Sequence, residues 1–212
     1  ASVQDPHGRV RMEGIAAASW LPRAQGVPIL AQAEKQAKDA IWIPGTLETA
    51  IAHLNGLSVA QKKEEDVKSS LTGSDRELFV LGKEIYAREG LCSTCHQPDG
   101  GGLTASEFPP LRGTPWVTGS PERLIKLVLK GLMGPMEVAG KSYSGQVTMT
   151  PHEGMLDDTE IAAVLTYVRN SFGNKASPIS ATLVKKVREE VKDKKGFWSP
   201  QELLKAHPLE KN

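Results

Sequence analysis

The chain has 212 residues, of which 39% are hydrophobic and 24% are charged, and its formal net charge is +1. This composition is typical of a folded globular protein and excludes a disordered chain. The near-neutral charge gives no reason to expect a nucleic acid or a membrane surface as partner, and no apolar run approaches the ~20 residues that cross a bilayer. Because the sequence begins at Ala1 without a methionine, we expect a mature product or a fragment.

Residues 1–57 contain three apolar runs with helical spacing, separated by proline and glycine. The runs are residues 8–19, 24–37 and 42–54. Strand-like alternation is absent from their sequence, so the pattern predicts a stack of short paired helices. Residues 58–73 are polar and charged, and we predict that they form a linker.

Residues 74–174 contain three signals for the start of a helix, each a Ser or Asp followed at short spacing by Glu or Pro. These are Ser74 with Glu77, Ser120 with Pro121, and Asp157 with Glu160. We expect the first helix to run into residues 91–96 and the second to end at Gly131. The long loops between the helices are rich in Gly and Pro and need something to pack against, such as a large flat apolar ligand.

Residues 175–212 are predicted to form a basic helical tail, with nine Lys and Arg side chains against five Asp and Glu. A solvated helix packed on the preceding domain is the interpretation we favour. The alternative is a docking surface for an acidic partner.

Both cysteines of the chain lie in LCSTCH, residues 91–96. In a C-x-x-C-H motif the two thiols, here Cys92 and Cys95, can add to the vinyl groups of haem, and His96 then becomes the proximal iron ligand. A zinc site would need further ligands. A redox dithiol would need a preceding strand. A chance match to so short a pattern is the third alternative. We favour one covalently bound haem c.

The distal ligand has several candidates, because the chain contains five methionines. They are Met12, Met133, Met136, Met149 and Met155. Met149 is favoured, since it lies in the loop 145–154, which can place a thioether over the iron. Met155 is the next candidate. His152, on the same loop, is a third possible ligand, although we expect it to face solvent or the haem edge.

The ligand set matters for function. Ligation by His and Met leaves no open iron position and raises the reduction potential, which suits one-electron transfer. An open or weakly held sixth position would instead suit a haem enzyme or a gas sensor. An interaction scaffold, in which residues 1–57 bind a partner, is a third hypothesis.

Residues 74–174 resemble a class I cytochrome c domain. Its segments occur in the expected order: Gly82 and Tyr86, CSTCH, FPPLRG, the Met149 loop, and IAAVLTYVRNSFGN. The resemblance implies an all-α class I cytochrome c fold, with helices and long loops around one haem. It also implies that the first and last helices cross tightly, with Gly82 and Tyr86 meeting Leu165 and Tyr167.

The same resemblance implies further site residues. The carbonyl of Pro109 or Pro110 should accept the ring N–H of His96, which fixes the imidazole tautomer. Trp116 and Tyr143 match positions near the haem edge or its propionates.

The nearest subgroup comprises haem domains of bacterial periplasmic proteins in which HEAT-like repeats precede the cytochrome. Residues 5–20 resemble one such repeat and residues 45–54 resemble the helix after it. This implies an extracytoplasmic, periplasmic location and redox partner proteins that donate and accept electrons. It also implies that the chain is the electron-accepting C-terminal part of a larger dehydrogenase, with any dehydrogenase activity in a domain outside this sequence.

Overall fold

The computed structural model describes residues 2–35, 43–57, 61, 67 and 70–210. The chain divides into two compact units, Ala1–Val67 and Lys68–Asn212. Their boundary falls inside the predicted linker 58–73, most of which lies outside the described residues. The second unit contains both the predicted haem domain and the predicted tail.

The first unit is helical, as its apolar runs predict. A short 3-10 turn, Ser2–Gln4, precedes helices α1 (Gly8–Ala18), α2 (Arg23–Glu34) and α3 (Ile43–Leu54). The three helices pack together around a core of small aliphatic side chains: Val3, Ile15, Ala18, Leu30, Ala33, Ile43, Leu47 and Ala50. The assignment of this unit to HEAT-like repeats stays a prediction.

The second unit is built from helices joined by long loops. Its elements are α4 (Gly73–Ala87), α5 (Cys92–His96), a 3-10 turn (Thr104–Ser106), α6 (Pro115–Thr118), α7 (Pro121–Lys130), β1 (Met136–Val138), β2 (Lys141–Tyr143), α8 (Asp158–Asn170), α9 (Ala181–Glu190) and α10 (Pro200–Ala206). Strands β1 and β2 form a small antiparallel hairpin in which Met136 pairs with Tyr143. The fold class is therefore all-α, with one hairpin inserted between α7 and α8.

Two of the three predicted helix starts are confirmed. The Ser120 hydroxyl accepts a hydrogen bond from the backbone N–H of Arg123 at 3.2 Å. Asp157 and Glu160 form a capping box at the start of α8. Gly131 ends α7 with a φ of 74°, a left-handed conformation that glycine adopts without strain.

The first predicted start is wrong. Helix α4 begins at Gly73 and Thr72 is its N-cap residue, so Ser74 lies inside the first turn, where it cannot act as the N-cap. The helix also ends at Ala87 and does not continue into the haem motif. Arg88 is extended and Gly90 has a φ of 75°, so the chain turns before a separate helix, α5, begins at Cys92.

Helices α4 and α8 cross at backbone distance. A Cβ added at Gly82 would lie 2.0 Å from the carbonyl oxygen of Ala163 and 2.8 Å from Cβ of Tyr167. The rings of Tyr86 and Tyr167 lie 5.4 Å apart, as expected. The predicted contact with Leu165 is wrong, because residues 163 and 167 share one face of the helix whereas residue 165 lies on the opposite face.

The tail is packed on the rest of its unit. Helix α9 contacts α7 and α8, and α10 contacts α7. The fully buried guanidinium of Arg123 donates to the carbonyls of His207 at 3.0 Å and Pro208 at 2.8 Å, and pairs with Glu210 at 3.1 Å. Within the described ranges, no helix has both the length and the apolarity that a membrane span requires.

We predict that Gly82→Ala lowers the free energy of unfolding of the holoprotein by about 3 kcal/mol, because the new methyl group forces the two helices apart. Chemical denaturation followed by far-UV circular dichroism measures the change. Gly154→Ala is the matched control, because a Cβ at Gly154 meets no atom within 4 Å. Equal unfolding curves for the two variants would contradict the close crossing.

Candidate functional site

The second unit contains a mostly apolar cleft. It is bordered by α5, α7, α8 and the loops on either side of the β-hairpin, and its empty space is about 1490 Å³, including the open mouth. The lining includes every site residue predicted from the sequence: Cys92, Cys95, His96, Pro109, Pro110, Trp116, Tyr143 and Met149. The fold therefore brings together residues that span more than fifty positions of the chain.

The imidazole of His96 is oriented by one backbone carbonyl. Its Nδ1 lies 2.9 Å from the carbonyl oxygen of Pro109, so Nδ1–H donates there and Nε2 is left as the metal-binding nitrogen. Burial lowers the pKa of His96, which keeps the ring neutral and available as a ligand. Of the two prolines that the sequence left open, Pro109 makes this contact and Pro110 lines the cleft.

The two cysteines lie on one turn of α5. Cys92 and Cys95 are three residues apart, so their thiols share one face of the helix, and both are unbonded and half-buried. Burial raises the pKa of the Cys92 thiol to about 11, so before haem is attached this sulfur is protonated near pH 7.

Tyr86 positions the end of α5. Its hydroxyl donates to the carbonyl of Gln97 at 2.6 Å, immediately after His96. Gln97 has a φ of 64°, a left-handed conformation that is uncommon outside glycine. The sequence placed Tyr86 only at a helix crossing, and the structure adds this contact next to the ligand.

The loop after the motif folds back to bring Pro109 to His96. The backbone N–H of Gly102 donates to the His96 carbonyl at 3.0 Å. A Cβ at Gly102 would lie 2.4 Å from the carbonyl oxygen of Phe108, so only glycine allows this approach. Asp99 pairs with Arg112 across the loop. The N–H of Gly101 and the Arg112 side chain lower the pKa of the Asp99 carboxyl. The sequence predicted a role for Pro109 or Pro110 in this loop but not for its run of three glycines, although that run was a visible signal.

Three methionines line the cleft in different ways. Met149 is half-buried, and its backbone N–H and carbonyl both pair with Leu132, at 2.9 and 3.2 Å. Met155 is 55% exposed, at the rim. Met136 lies on β1, and its place in the lining was not foreseen. Met149 therefore combines a half-buried side chain with a backbone that is held by two hydrogen bonds, whereas Met155 is exposed at the rim.

His152 lies inside the cleft wall. Only 7% of it is exposed, so of the two positions expected from the sequence the solvent-facing one is wrong, while the position at the haem edge stays a prediction. Its backbone N–H donates to the Val128 carbonyl at 2.9 Å. Burial lowers its pKa, so its ring is neutral near pH 7.

The two aromatic residues expected near the haem differ in their hydrogen bonds. The indole N–H of Trp116 donates to the Glu137 carbonyl at 3.1 Å. The Tyr143 side chain is 3% exposed, and its buried hydroxyl has no hydrogen-bond partner among the described residues. An unpaired buried hydroxyl is costly, so Tyr143 fits a bound group that presents an acceptor inside the cleft.

Haem fits this set of side chains. The apolar walls suit the porphyrin, the two thiols suit its vinyl groups, and the Nε2 atom of His96 suits the iron. The Tyr143 hydroxyl suits a propionate. When bound, haem supplies an iron that takes up and releases one electron at a time.

Comparison with known proteins agrees with this geometry. The cytochrome c family model matches residues 79–172. Cytochrome c-552 of Thermus thermophilus is 37% identical over 116 residues, which cover 50% of this chain and 83% of that protein. The chain belongs to the cytochrome c family. This cytochrome carries covalently bound haem c at the Cys92–His96 motif.

Other relatives are larger. The cytochrome c subunit of the quinone alcohol dehydrogenase of Gluconacetobacter polyoxogenes is 34% identical over 123 residues, 57% of this chain. The fructose dehydrogenase cytochrome subunit of Gluconobacter japonicus is 32% identical over 136 residues, 62% of this chain. The matches span only 25% and 26% of these two relatives.

We predict that Cys92→Ala combined with Cys95→Ala abolishes the covalent link, because no other cysteine is present in the chain. Acidified organic solvent should then extract the haem from the variant but not from the parent. Ser93→Ala is the control and should retain its haem. Retention of haem by the double variant would contradict attachment through these sulfurs.

We also predict that Tyr143→Phe lowers both the reduction potential and, by about 1 kcal/mol, the free energy of unfolding of the holoprotein. Loss of the donor leaves more negative charge on the propionate, which favours ferric haem. Potentiometric titration and chemical denaturation measure the two effects. Tyr167→Phe is the control, since Tyr167 packs beside the helix crossing and is not part of the cleft lining, and its potential should stay that of the parent. An unchanged potential in Tyr143→Phe would mean that the hydroxyl does not contact the haem.

Proposed function

We propose that this cytochrome is a one-electron carrier in which His96 and Met149 are the axial ligands of the haem iron. The observation that carries the proposal is the position of Met149, half-buried in the cleft that holds His96, with its backbone hydrogen-bonded to Leu132. A thioether is a weak ligand, so a backbone held in place favours its binding. Two axial ligands leave no iron position for substrate or dioxygen.

The chemistry of the cleft supports electron transfer over catalysis. Most of its lining is aliphatic or aromatic. The carboxylate in this lining is that of Glu107, which is half-buried and accepts hydrogen bonds from the backbone and hydroxyl of Ser144. A haem enzyme with an open iron would need a positioned acid or base near the sixth site, and His152 is the side chain that could fill that role.

The relatives suggest a setting for the carrier. Because several are cytochrome subunits of dehydrogenases, we propose that this cytochrome accepts electrons from a dehydrogenase and passes them to a second carrier. The proposal covers both a dehydrogenase domain of a longer chain and a separate partner protein. We propose an extracytoplasmic, periplasmic location and a HEAT-like role for residues 1–57 on the family resemblance.

We predict that the oxidised parent shows the weak far-red absorption band of sulfur–iron ligation, that Met149→Ala loses it, and that the variant has a lower reduction potential. The ferrous variant should bind carbon monoxide readily, because one axial position is open. Potentiometric titration of the parent should fit a one-electron reaction.

Met155→Ala is the matched control, since Met155 lines the same cleft at its exposed rim. Loss of the band in Met155→Ala instead would assign the ligand to Met155. A parent without the band that also excludes carbon monoxide would point to His152. A parent that binds carbon monoxide readily would overturn the electron-carrier proposal in favour of catalysis or sensing.

A further inference from the structure

We infer that the C-terminal segment, residues 181–199, holds the Met149 loop against the haem cleft, and that Arg188 is a positioning residue for the distal ligand. The inference rests on the proposed ligation by Met149. It goes beyond the family resemblance, because the family match ends at residue 172 and this segment follows it.

The guanidinium of Arg188 makes three hydrogen bonds, two to the chain between Met149 and α8 and one to the first residue of α8. Its Nη1 donates to the carbonyl of Glu153 at 2.7 Å and its Nη2 donates to the carbonyl of Leu156 at 3.0 Å. Its Nε donates to the Asp158 carboxylate at 2.7 Å. A planar guanidinium makes such a set of bonds in one fixed orientation, which a flexible ammonium group cannot reproduce.

These bonds connect the loop to rigid elements. Asp158 is the first residue of α8, a helix with nine buried residues, and Arg188 belongs to α9, which packs on α8. Lys130, at the end of α7 and almost fully buried, pairs with the Glu153 carboxylate at 2.6 Å. Glu153 is therefore held by its carbonyl from α9 and by its side chain from α7.

The same segment also reaches the other end of the loop. Leu132 pairs with Met149 on one side and with Trp198 on the other. The backbone carbonyl of Trp198 accepts a hydrogen bond from the N–H of Met133 at 2.9 Å. The backbone N–H of Trp198 donates to the Gly131 carbonyl at 3.1 Å. Trp198 thus extends the backbone pairing that fixes Met149.

Gly131 shows how closely these pieces meet. A Cβ at this position would lie 2.3 Å from the Met149 carbonyl oxygen and 2.9 Å from the Phe197 ring. The C-terminal segment therefore contacts residues 131–133, of which Leu132 pairs with Met149, and also the chain that follows Met149. Movement of the loop away from the cleft has to break contacts with this segment.

The expected effect of removing Arg188 is a more frequent opening of the loop. Hydrogen bonds to charged groups contribute modestly when partly exposed, and the Arg188 and Asp158 side chains are each 28% exposed. We therefore expect the population of the open loop to rise about threefold to tenfold in Arg188→Gln.

The test uses the ferrous holoprotein and carbon monoxide, which binds only when Met149 leaves the iron. Arg188→Gln should bind carbon monoxide about threefold to tenfold faster than the parent. Arg188→Lys keeps the positive charge but loses the planar guanidinium, so its rate of carbon monoxide binding should lie between those of the parent and Arg188→Gln. Lys186→Gln is the control on the same helix, because Lys186 is 68% exposed and pairs only weakly with Glu190 at 3.8 Å; it should match the parent.

The far-red band and far-UV circular dichroism are recorded for every variant. A parent with the band, together with a folded Arg188→Gln that binds carbon monoxide at the parent rate, would overturn the inference while leaving the proposed function intact. If Arg188→Gln does not fold, Arg188→Lys decides by the same rate comparison. A parent without the band overturns the proposed ligation by Met149, and this inference with it.

Discussion

The close crossing of α4 and α8 is the contact on which the second unit depends. Where Gly82 meets Ala163 there is no room for a side chain, so the two helices lie at backbone distance. Tyr86 and Tyr167 then pack beside the crossing. One face of α8 is used in this way, and its opposite face, with Val164, Leu165 and Val168, becomes a wall of the haem cleft. A single glycine therefore links the packing of the helices to the shape of the site.

Two loops bring ligand chemistry to that cleft by different means. The loop after the motif is folded by its own hydrogen bonds, so that the Pro109 carbonyl reaches the imidazole of His96. The Met149 loop has few bonds within itself and is held from outside, by Leu132, Lys130 and Arg188. The proximal side is thus built mainly from local contacts, whereas the proposed distal side depends on segments far away in the chain. A distal ligand held in this way can respond to changes in the C-terminal segment.

The relatives and the structure describe the same function at different scales. The family match and the cleft agree on a haem c protein. The dehydrogenase subunits are longer than the region they share with this chain, so their names suggest a setting without defining this protein's partners. The first unit, outside the family match, has a compact helical core of its own.

The sequence alone was sufficient to predict the covalent attachment of haem. Cys92, Cys95 and His96 lie in one short helix, so their spacing in the sequence fixes their relative positions. It also predicted two of the helix starts correctly, since a cap depends on residues that are close in the chain. It failed at Ser74, because the observed N-cap residue, Thr72, lies two positions earlier. It also failed at Leu165, because the order of family segments does not say which face of a helix is turned inward.

Only the tertiary structure decided the remaining contacts. Pro109 bonds to His96 from 13 positions away, and Arg188 bonds to Glu153 from 35 positions away. The Tyr143 hydroxyl, which has no partner among the described residues, faces a cleft made by many elements. Such contacts depend on the path of every loop between them, and no local pattern records that path. The sequence by itself determined what chemistry the protein carries, and the packing of its helices and loops determined how that chemistry is held.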